Sequence, residues 1–299
     1  MAYHRPVLLN ESIEGLNIKS KGTYVDLTFG GGGHSRLVLE KLGKKGRLFA
    51  FDQDPDAAQN ISKDKRLVFI KANFRYMRNF LRYYEVPQVD GILADLGISS
   101  YQIDQPERGF SFRSESRLDM RMDPNSRKTA VEVLNDYPED DLFRIFRRYG
   151  ELKNTGRVVR AIIEARVIKP VTTTTELETI LEDLVPQQTR SKFMARVFQA
   201  IRIEVNEEID ALREMLVQTS DYMGNGGRLV VITYHSLEDR LVKNYMRSGN
   251  LEGEVKKDFY GNPETSWMVV NRKVIVPGEK EISENSRARS AKLRIAEKL

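Results

Sequence analysis

The chain has 299 residues, 40% of them hydrophobic, which is long enough for one large α/β domain, or a medium one with a smaller companion, and too apolar for a disordered polypeptide. Its 48 basic and 43 acidic side chains leave a formal charge of +5, which favours an anionic partner but falls far short of a histone-like polycation. Cysteine is absent, and with it go disulfides, thiolate zinc sites, iron–sulfur clusters and cysteine nucleophiles.

The apolar run at Val7-Leu8-Leu9 is too short for a signal peptide, and no stretch approaches the length of a bilayer span, so the expectation is a soluble cytoplasmic protein without a membrane partner. Residues 23–96 alternate short apolar runs rich in β-formers with longer amphipathic segments, the pattern of a parallel sheet with crossover helices. The strands read as Thr23–Leu27, Arg47–Phe51, Leu67–Ile70 and Gly91–Leu96, with a helix over Ser35–Leu42 closed by Gly43 as its C-cap. Consecutive βαβ units imply right-handed crossovers and ligands at the carboxyl ends of the strands.

From about Gln105 to Glu207 helical signals replace strand signals, behind a charged connector at Arg113–Pro124. Val159, Ile162, Ile163 and Val167 share a helical face that Lys169-Pro170 ends. Thr175 with Glu178 forms a capping-box pattern ahead of Leu177, Ile180, Leu181 and Leu184. One long helix is expected from about Thr189 to Gln218, carrying Phe193, Val197, Ile201, Val205, Ile209, Leu212 and Leu216. After the turn Gly224-Asn225-Gly226-Gly227, strand character returns at Arg228–Tyr234, and a helix runs from Leu237 to Met246. The tail adds β-like runs at Trp267–Val270 with Val274–Val276, and at Lys292–Ala296. The expected organisation is a core of residues 1–104 and 207–299 with an inserted helical domain at 105–206.

Four glycines, Gly30 to Gly33, stand between the first strand and its helix, where backbone can approach a ligand and helix N–H groups can face an anionic group. A dinucleotide fingerprint begun at Gly30 needs glycine at 35, where this chain has Ser35. Asp26 in the first strand, followed by the glycines, is instead the arrangement of class I methyltransferases, whose loop wraps the methionine half of S-adenosylmethionine. Asp52 ends the second strand, where an acid accepts hydrogen bonds from two ribose hydroxyls; Asp54 and Asp56 read better as exposed carboxylates. Phe74 stands either near an adenine plane or in the core. Asp95 closes the fourth strand where a methyl group would lie, and a carboxylate in an apolar strand points to function.

His4-Arg5-Pro6-Val7-Leu8-Leu9, Thr28-Phe29-Gly30 through His34-Ser35, Phe51-Asp52-Gln53-Asp54-Pro55 and Asp95-Leu96-Gly97-Ile98-Ser99-Ser100 form one set of motifs. Arg108-Gly109-Phe110-Ser111-Phe112, Leu118-Asp119-Met120-Arg121-Met122-Asp123, Phe198-Gln199-Ala200-Ile201-Arg202, Tyr234-His235-Ser236-Leu237-Glu238-Asp239-Arg240 and Ser290–Ala296 form another. Together they resemble, nearly end to end, the bacterial ribosomal RNA small subunit methyltransferase H, or MraW, family. The resemblance implies a class I S-adenosylmethionine-dependent methyltransferase (Rossmann-like) α/β sheet with an inserted helical subdomain for substrate recognition. It implies methyl transfer to the N4 amino group of a cytosine in the decoding region of 16S ribosomal RNA, within the small ribosomal subunit, and is compatible with a homodimer. Cofactor positions carry over to Gly32, Gly33 and His34 at the methionine end, Asp52 at the ribose, Phe74 near adenine, and Asp95 and Gln102 beside the cofactor. Tyr234 departs from the phenylalanine that the resemblance implies, and keeps an aromatic wall.

A cytosine amino group is a poor nucleophile, so acceptors for its hydrogens would help it attack; Asp95, backbone carbonyls after it, or a water are candidates. His235 is a second candidate for touching the base, against a packed core histidine. Methylation at cytosine C5 ordinarily needs a thiolate, a route closed to this chain, so the amino group or a ribose hydroxyl remains. His4, His34 and His235 occupy separate motifs, so no metal site is expected. Arg144, Arg147, Arg148, Lys153, Arg157 and Arg160 in the insert, with Arg287, Arg289 and Lys292 in the tail, are candidates for phosphate contact as a set. Two rivals are an NAD-linked oxidoreductase, which lacks its third glycine here, and an RNA-binding assembly factor without catalysis, against which the intact glycines, Asp52 and Asp95 speak.

Overall fold

The computed structural model describes residues 6–261 and 264–299, so the His4-Arg5 start of the first motif lies outside the described residues. Two compact units divide the chain, one formed by the residues up to Gly97 with Ile209–Leu299, the other by Ile98–Glu208.

In the first unit, β1 (Thr23–Asp26), β2 (Arg47–Asp52), β3 (Leu67–Lys71) and β4 (Val89–Asp95) are parallel, β1 pairing with both β2 and β4, and β2 with β3. Successive side chains of a strand point to opposite faces, and here both faces are covered, which is why the strands read as near-continuous apolar runs. Val25, Phe49 and Ile92 enter one core, where α3 (Met77–Tyr83) adds Met77 and Leu81. Tyr24, Leu48 and Leu93 enter the other, where α1 (Leu9–Gly15) adds Ile13 and α2 (Gly33–Lys41) adds Val38 and Leu39. Gly43 does not cap α2: Leu42 has already left the helix for extended backbone at ψ 139°, and a Cβ on Gly43 would lie 2.4 Å from Ser20 Oγ, so this glycine allows a close approach.

The second unit is helical: α4 (Ser100–Asp104), α5 (Ala130–Asp136), α6 (Glu139–Arg148), α7 (Thr155–Ile168), α8 (Thr174–Leu181) and α9 (Gln187–Asn206). α6 places Glu139, Asp140 and Asp141 in its first turn and Arg147 and Arg148 in its last, matching the helix dipole, and buries Leu142, Ile145 and Phe146. On α7, Val158, Val159 and Ile162 are buried, whereas Val167, expected on the same face, is 81% exposed at the helix end. The charged stretch Arg113–Pro124 connects irregularly to α5 and buries three apolar side chains, Leu118, Met120 and Met122, on the way. Leu118 and Met120 are fully buried, and the Arg108 guanidinium donates to the carbonyls of Arg121 and Met122 at 3.0 Å each.

Two helix ends differ from the sequence-based expectation. The capping box of α8 uses Thr173 and Glu176, not Thr175 and Glu178: Thr173 Oγ1 accepts from Glu176 N (3.2 Å) while Glu176 accepts from Thr173 N (3.0 Å). The expected long helix is two, α9 and α10 (Glu208–Tyr222), separated by Glu207 in the left-handed region at φ 51°. Its apolar spacing carries straight through the break, because the break is made by polar contacts. Asn206 receives Met122 N (2.7 Å) and donates to Met120 O (2.7 Å) and Arg202 O (2.9 Å), and Arg202 pairs with Glu208 at 2.8 Å.

The chain then completes the sheet with β5 (Met223–Thr233), α11 (Ser236–Ser248), β6 (Trp267–Val269), α12 (Glu279–Glu284) and β7 (Lys292–Lys298). The strand order is β3-β2-β1-β4-β5-β7-β6, with β7 antiparallel to both neighbours, so the unit is the seven-stranded α/β fold of class I methyltransferases. The glycine turn expected before β5 lies inside the strand, as an irregularity between the pairs Val89–Met223 and Gly91–Arg228, with Gly226 at φ 75°. Of the β-like runs in the tail, Trp267–Val269 forms β6, while Val274–Val276 contributes only an isolated bridge. β6 pairs with β7, and Ile275 bridges to Leu293 of the same strand.

The cap assignment has a direct test. Thr173→Ala should lower stability by about 0.5–2 kcal/mol, while Thr175→Ala, at an exposed position, should change it by less than about 0.5 kcal/mol. Urea unfolding of the two variants checks this.

Candidate functional site at the carboxyl edge of the sheet

Parallel strands end on the same side, so Asp52 of β2, Asp26 of β1 and Asp95 of β4 come to one edge from three neighbouring strands. Asp26 is 1% exposed and accepts Ser35 Oγ at 2.7 Å and Thr28 N at 3.1 Å, tying β1 to the first turn of α2. Burial pushes its carboxyl up to about 6 against those two donors. Asp52 accepts Gly30 N (2.7 Å) on one oxygen and Asp54 N (2.8 Å) on the other. Its carboxyl also rises to about 6, first through burial and then through the charges of Asp54 and Asp26, while the backbone donors hold it down. Each oxygen keeps a second lone pair, so the acid can still receive hydroxyl donors.

The glycine loop follows from the same constraint. Gly30 at φ 50° and Gly32 at φ 73° take left-handed conformations that let the chain turn from β1 into α2. A Cβ on Gly33 would lie 2.1 Å from Pro6 Cγ, so that position has no room for a side chain. Asn60 Nδ2 donates to Gly30 O at 3.1 Å and steadies the loop from the far side.

His34, in the first turn of α2, is 5% exposed, and burial lowers its imidazole to about 4, so it is neutral at pH 7. It hydrogen-bonds the Val7 backbone, and Nε2 is buried without a protein partner. Phe74 begins a 3-10 turn capped by Asn73 and packs, partly buried, against the first core. Asp54, expected to be exposed, is 5% exposed, because its carboxylate caps the turn Pro55–Asn60 through Asp56 N (3.0 Å).

Asp95 N donates to Thr28 Oγ1 at 2.7 Å, and its Oδ1 accepts the Tyr234 hydroxyl at 2.8 Å. Burial, then the charges of Asp26 and Glu238, lift its carboxyl to about 7, with the Tyr234 bond opposing them. Sequence shows Tyr234 only as an aromatic wall; its hydroxyl is the feature that sequence reasoning misses, since nothing in the spacing shows which side chain a phenol reaches. His235, directly after it, is the extended N-cap residue of α11, whose Glu238 accepts Tyr234 N at 2.9 Å and approaches His235 Nε2 to 3.1 Å. Neither ring nitrogen of His235 makes a hydrogen bond of good geometry. The spacing His235-x-x-Glu238 is a capping signal that could have been found. Gln102 lies in the helical unit, as the third residue of the α4 capping box opened by Ser99.

Of the basic candidates, Arg144 is held by Glu204 and Asp141, and Lys292 by Asp239 at 3.2 Å. Arg148 stands 5.6 Å from the Tyr149 ring, while Lys153, Arg157, Arg160, Arg287 and Arg289 are exposed. Among the described residues no helix is long and apolar enough to cross a membrane.

Asp95 makes a stability prediction. Folding raises its carboxyl from the usual 3.8 to about 7, so the native state holds a proton that the unfolded chain releases, and stability falls as pH rises between those values. Asp95→Asn should therefore melt above the parent at pH 8, with the gap closing by pH 4. A gap that is the same at both pH values would contradict this.

The sequence profile of the MraW methylase family matches residues 1–299. The chain is 54% identical over 298 residues to a protein of Bacteroides thetaiotaomicron named ribosomal RNA small subunit methyltransferase H, covering 100% of this chain and 98% of that one. It is 52% identical over 299 residues to the protein of the same name from Flavobacterium johnsoniae, covering 100% and 99%. Among solved structures, a putative rRNA-methylase from Clostridium thermocellum is similar over 100% of both chains at 13% identity, with a TM-score of 0.46.

Proposed function

This chain belongs to the MraW methylase family, and on that premise we propose that it transfers a methyl group from S-adenosylmethionine to the N4 amino group of a cytosine in the decoding region of 16S ribosomal RNA. The names carried by relatives 52–54% identical over the whole chain support methylation of small-subunit ribosomal RNA. The observation that carries the cofactor reading is the set of acids at one edge, Asp26 buried and Asp52 and Asp95 half-buried, whose carboxyls are raised by desolvation, with Asp26 adding to the charge felt by the other two. Such an edge suits a cationic ligand and would repel the pyrophosphate of a dinucleotide.

The residues fit the group. The close-packed glycines leave backbone rather than side chains facing a ligand, Asp52 has lone pairs for two ribose hydroxyls, and the orphaned Nε2 of His34 offers a neutral acceptor to an ammonium donor. Phe74 is the reading for the adenine side. When bound, S-adenosylmethionine supplies an electrophilic methyl group on a sulfonium.

Asp95 takes the role of proton acceptor. With the cofactor held by the glycine turn and Asp52, it would supply the methyl carbon and leave as a thioether with the sulfonium's bonding pair, and the Asp95 carboxylate would accept one proton from the amino nitrogen that takes the methyl group. A carboxyl near 7 is matched to that task at neutral pH, since it is substantially ionised beforehand and basic enough to accept. His235 is the second group held at this edge, and we assign it to contact with the base. We assign recognition of the RNA to the helical unit, through its exposed basic residues, with the small subunit as the substrate particle in the cytoplasm.

Incubation of the protein with methyl-tritiated cofactor and unmethylated small subunits, followed by nucleoside analysis, should give labelled N4-methylcytidine. Asp95→Asn should lower kcat by about a hundredfold or more, and a fully active variant would remove the assigned role. Replacing Arg148, Lys153, Arg157 and Arg160 with alanine should flatten the logarithmic salt dependence of RNA binding by about 0.7–0.9 for each phosphate no longer neutralised. An unchanged slope would exclude these four from the RNA interface.

A further inference from the structure

We propose that Tyr234 is a positioning residue for methyl transfer: its hydroxyl, donated to one oxygen of the Asp95 carboxylate at 2.8 Å, fixes that carboxylate and leaves the second oxygen to the incoming amino group. The inference rests on the assignment of Asp95 as proton acceptor and adds the residue through which that acceptor is held.

Both ends of the bond are anchored separately. On one side, the Asp95 N–H donates to Thr28 Oγ1 (2.7 Å), which ties the end of β4 to the loop leaving β1. On the other, the Tyr234 N–H donates to Glu238 Oε2 (2.9 Å), which ties the residue after β5 to the first turn of α11. Gly97 turns beneath the ring at φ 100°, and a Cβ there would lie 3.6 Å from Tyr234 Cδ2. A carboxylate on a single χ2 torsion swings broadly unless something holds it, and a phenol anchored from a neighbouring strand does so. The positioning thus comes from the fold before substrate arrives.

The electrostatics fix the direction in which the proton sits. The Tyr234 phenol is raised well above its usual value, by burial first and then by the Asp95 charge, with Glu238 of α11 and Glu281 of α12 adding to it. It therefore remains a donor across the working pH range. Asp95 faces Asp26 from β1 and Glu238 from α11, both of which raise its carboxyl, whereas the Tyr234 hydrogen bond lowers it. Removing the hydroxyl moves Asp95 upward. Since transfer needs the ionised carboxylate, the rise of rate with pH should then move to higher pH.

The test compares the parent, Tyr234→Phe, Asp95→Asn and the double variant in steady-state methylation of small subunits across pH 5.5–9, with melting curves confirming that each is folded. Tyr234→Phe should lower kcat about tenfold, as expected for one lost hydrogen bond to a charged group, leave KM for cofactor and RNA within about twofold, and shift the acid limb of the pH profile upward. In the double variant the phenylalanine should add little to the loss from Asp95→Asn, because it acts through that group. A Tyr234→Phe enzyme with parental kcat and pH profile beside an impaired Asp95→Asn enzyme overturns this inference and leaves the role of Asp95 standing. A fully active Asp95→Asn enzyme overturns both. Losses that multiply in the double variant overturn the inference as well, since Tyr234 would then act independently of Asp95.

Discussion

Three carboxylates end three neighbouring parallel strands, and their charge is confined to one edge of one sheet. A parallel sheet with both faces covered has nowhere else to put polar chemistry, because its strand interiors are buried on either side. Asp26, Asp52 and Asp95 are held by backbone amides, by Ser35, and by Tyr234, and each carboxyl is lifted to about 6 or 7 by burial. The fold therefore carries an unfavourable electrostatic arrangement that a cationic ligand would relieve.

The same hydrogen bonds shape the ligand-facing loop. Asp26 joins β1 to α2 through Ser35, Asp52 takes the N–H of Gly30, and Thr28 accepts the N–H of Asp95, so the three strand ends are laced through one turn of chain. The glycines then let this turn close without side chains in its way, at Gly33 against Pro6 most tightly. Catalytic and structural roles overlap here: the groups that define the loop also set the charge of the acid proposed to take up the proton.

Much of this is legible in sequence. Short β-rich runs mark β1 to β4 because each is buried on both faces, and the acids Asp52 and Asp95 stand out because a carboxylate within an apolar strand is rarely buried without a partner. What the sequence hides are the features decided by contacts distant in the chain. Periodicity cannot show the break at Glu207, which Asn206 makes through Met120 and Met122. The four threonines at 172–175 offer more than one capping register, and the one adopted puts the Thr173 and Glu176 pair in place, beside the bridge from Arg117 to Thr173. Asp54 resembles a surface acid in sequence, whereas its carboxylate caps the turn after it. The phenol of Tyr234 resembles a substitute for a plain ring, and its value lies in an oxygen that no periodicity reports.

The central claim is that this edge accepts a sulfonium nucleoside through the glycine turn and Asp52. Calorimetric titration of the purified protein with S-adenosylmethionine, S-adenosylhomocysteine and NAD, repeated on Asp52→Ala, tests it most directly. The account predicts binding of the first two, no binding of NAD, and a loss of affinity of about tenfold or more in the variant, as expected for removing hydrogen bonds to a charged group. Binding of NAD with no heat from either sulfur nucleoside would contradict it.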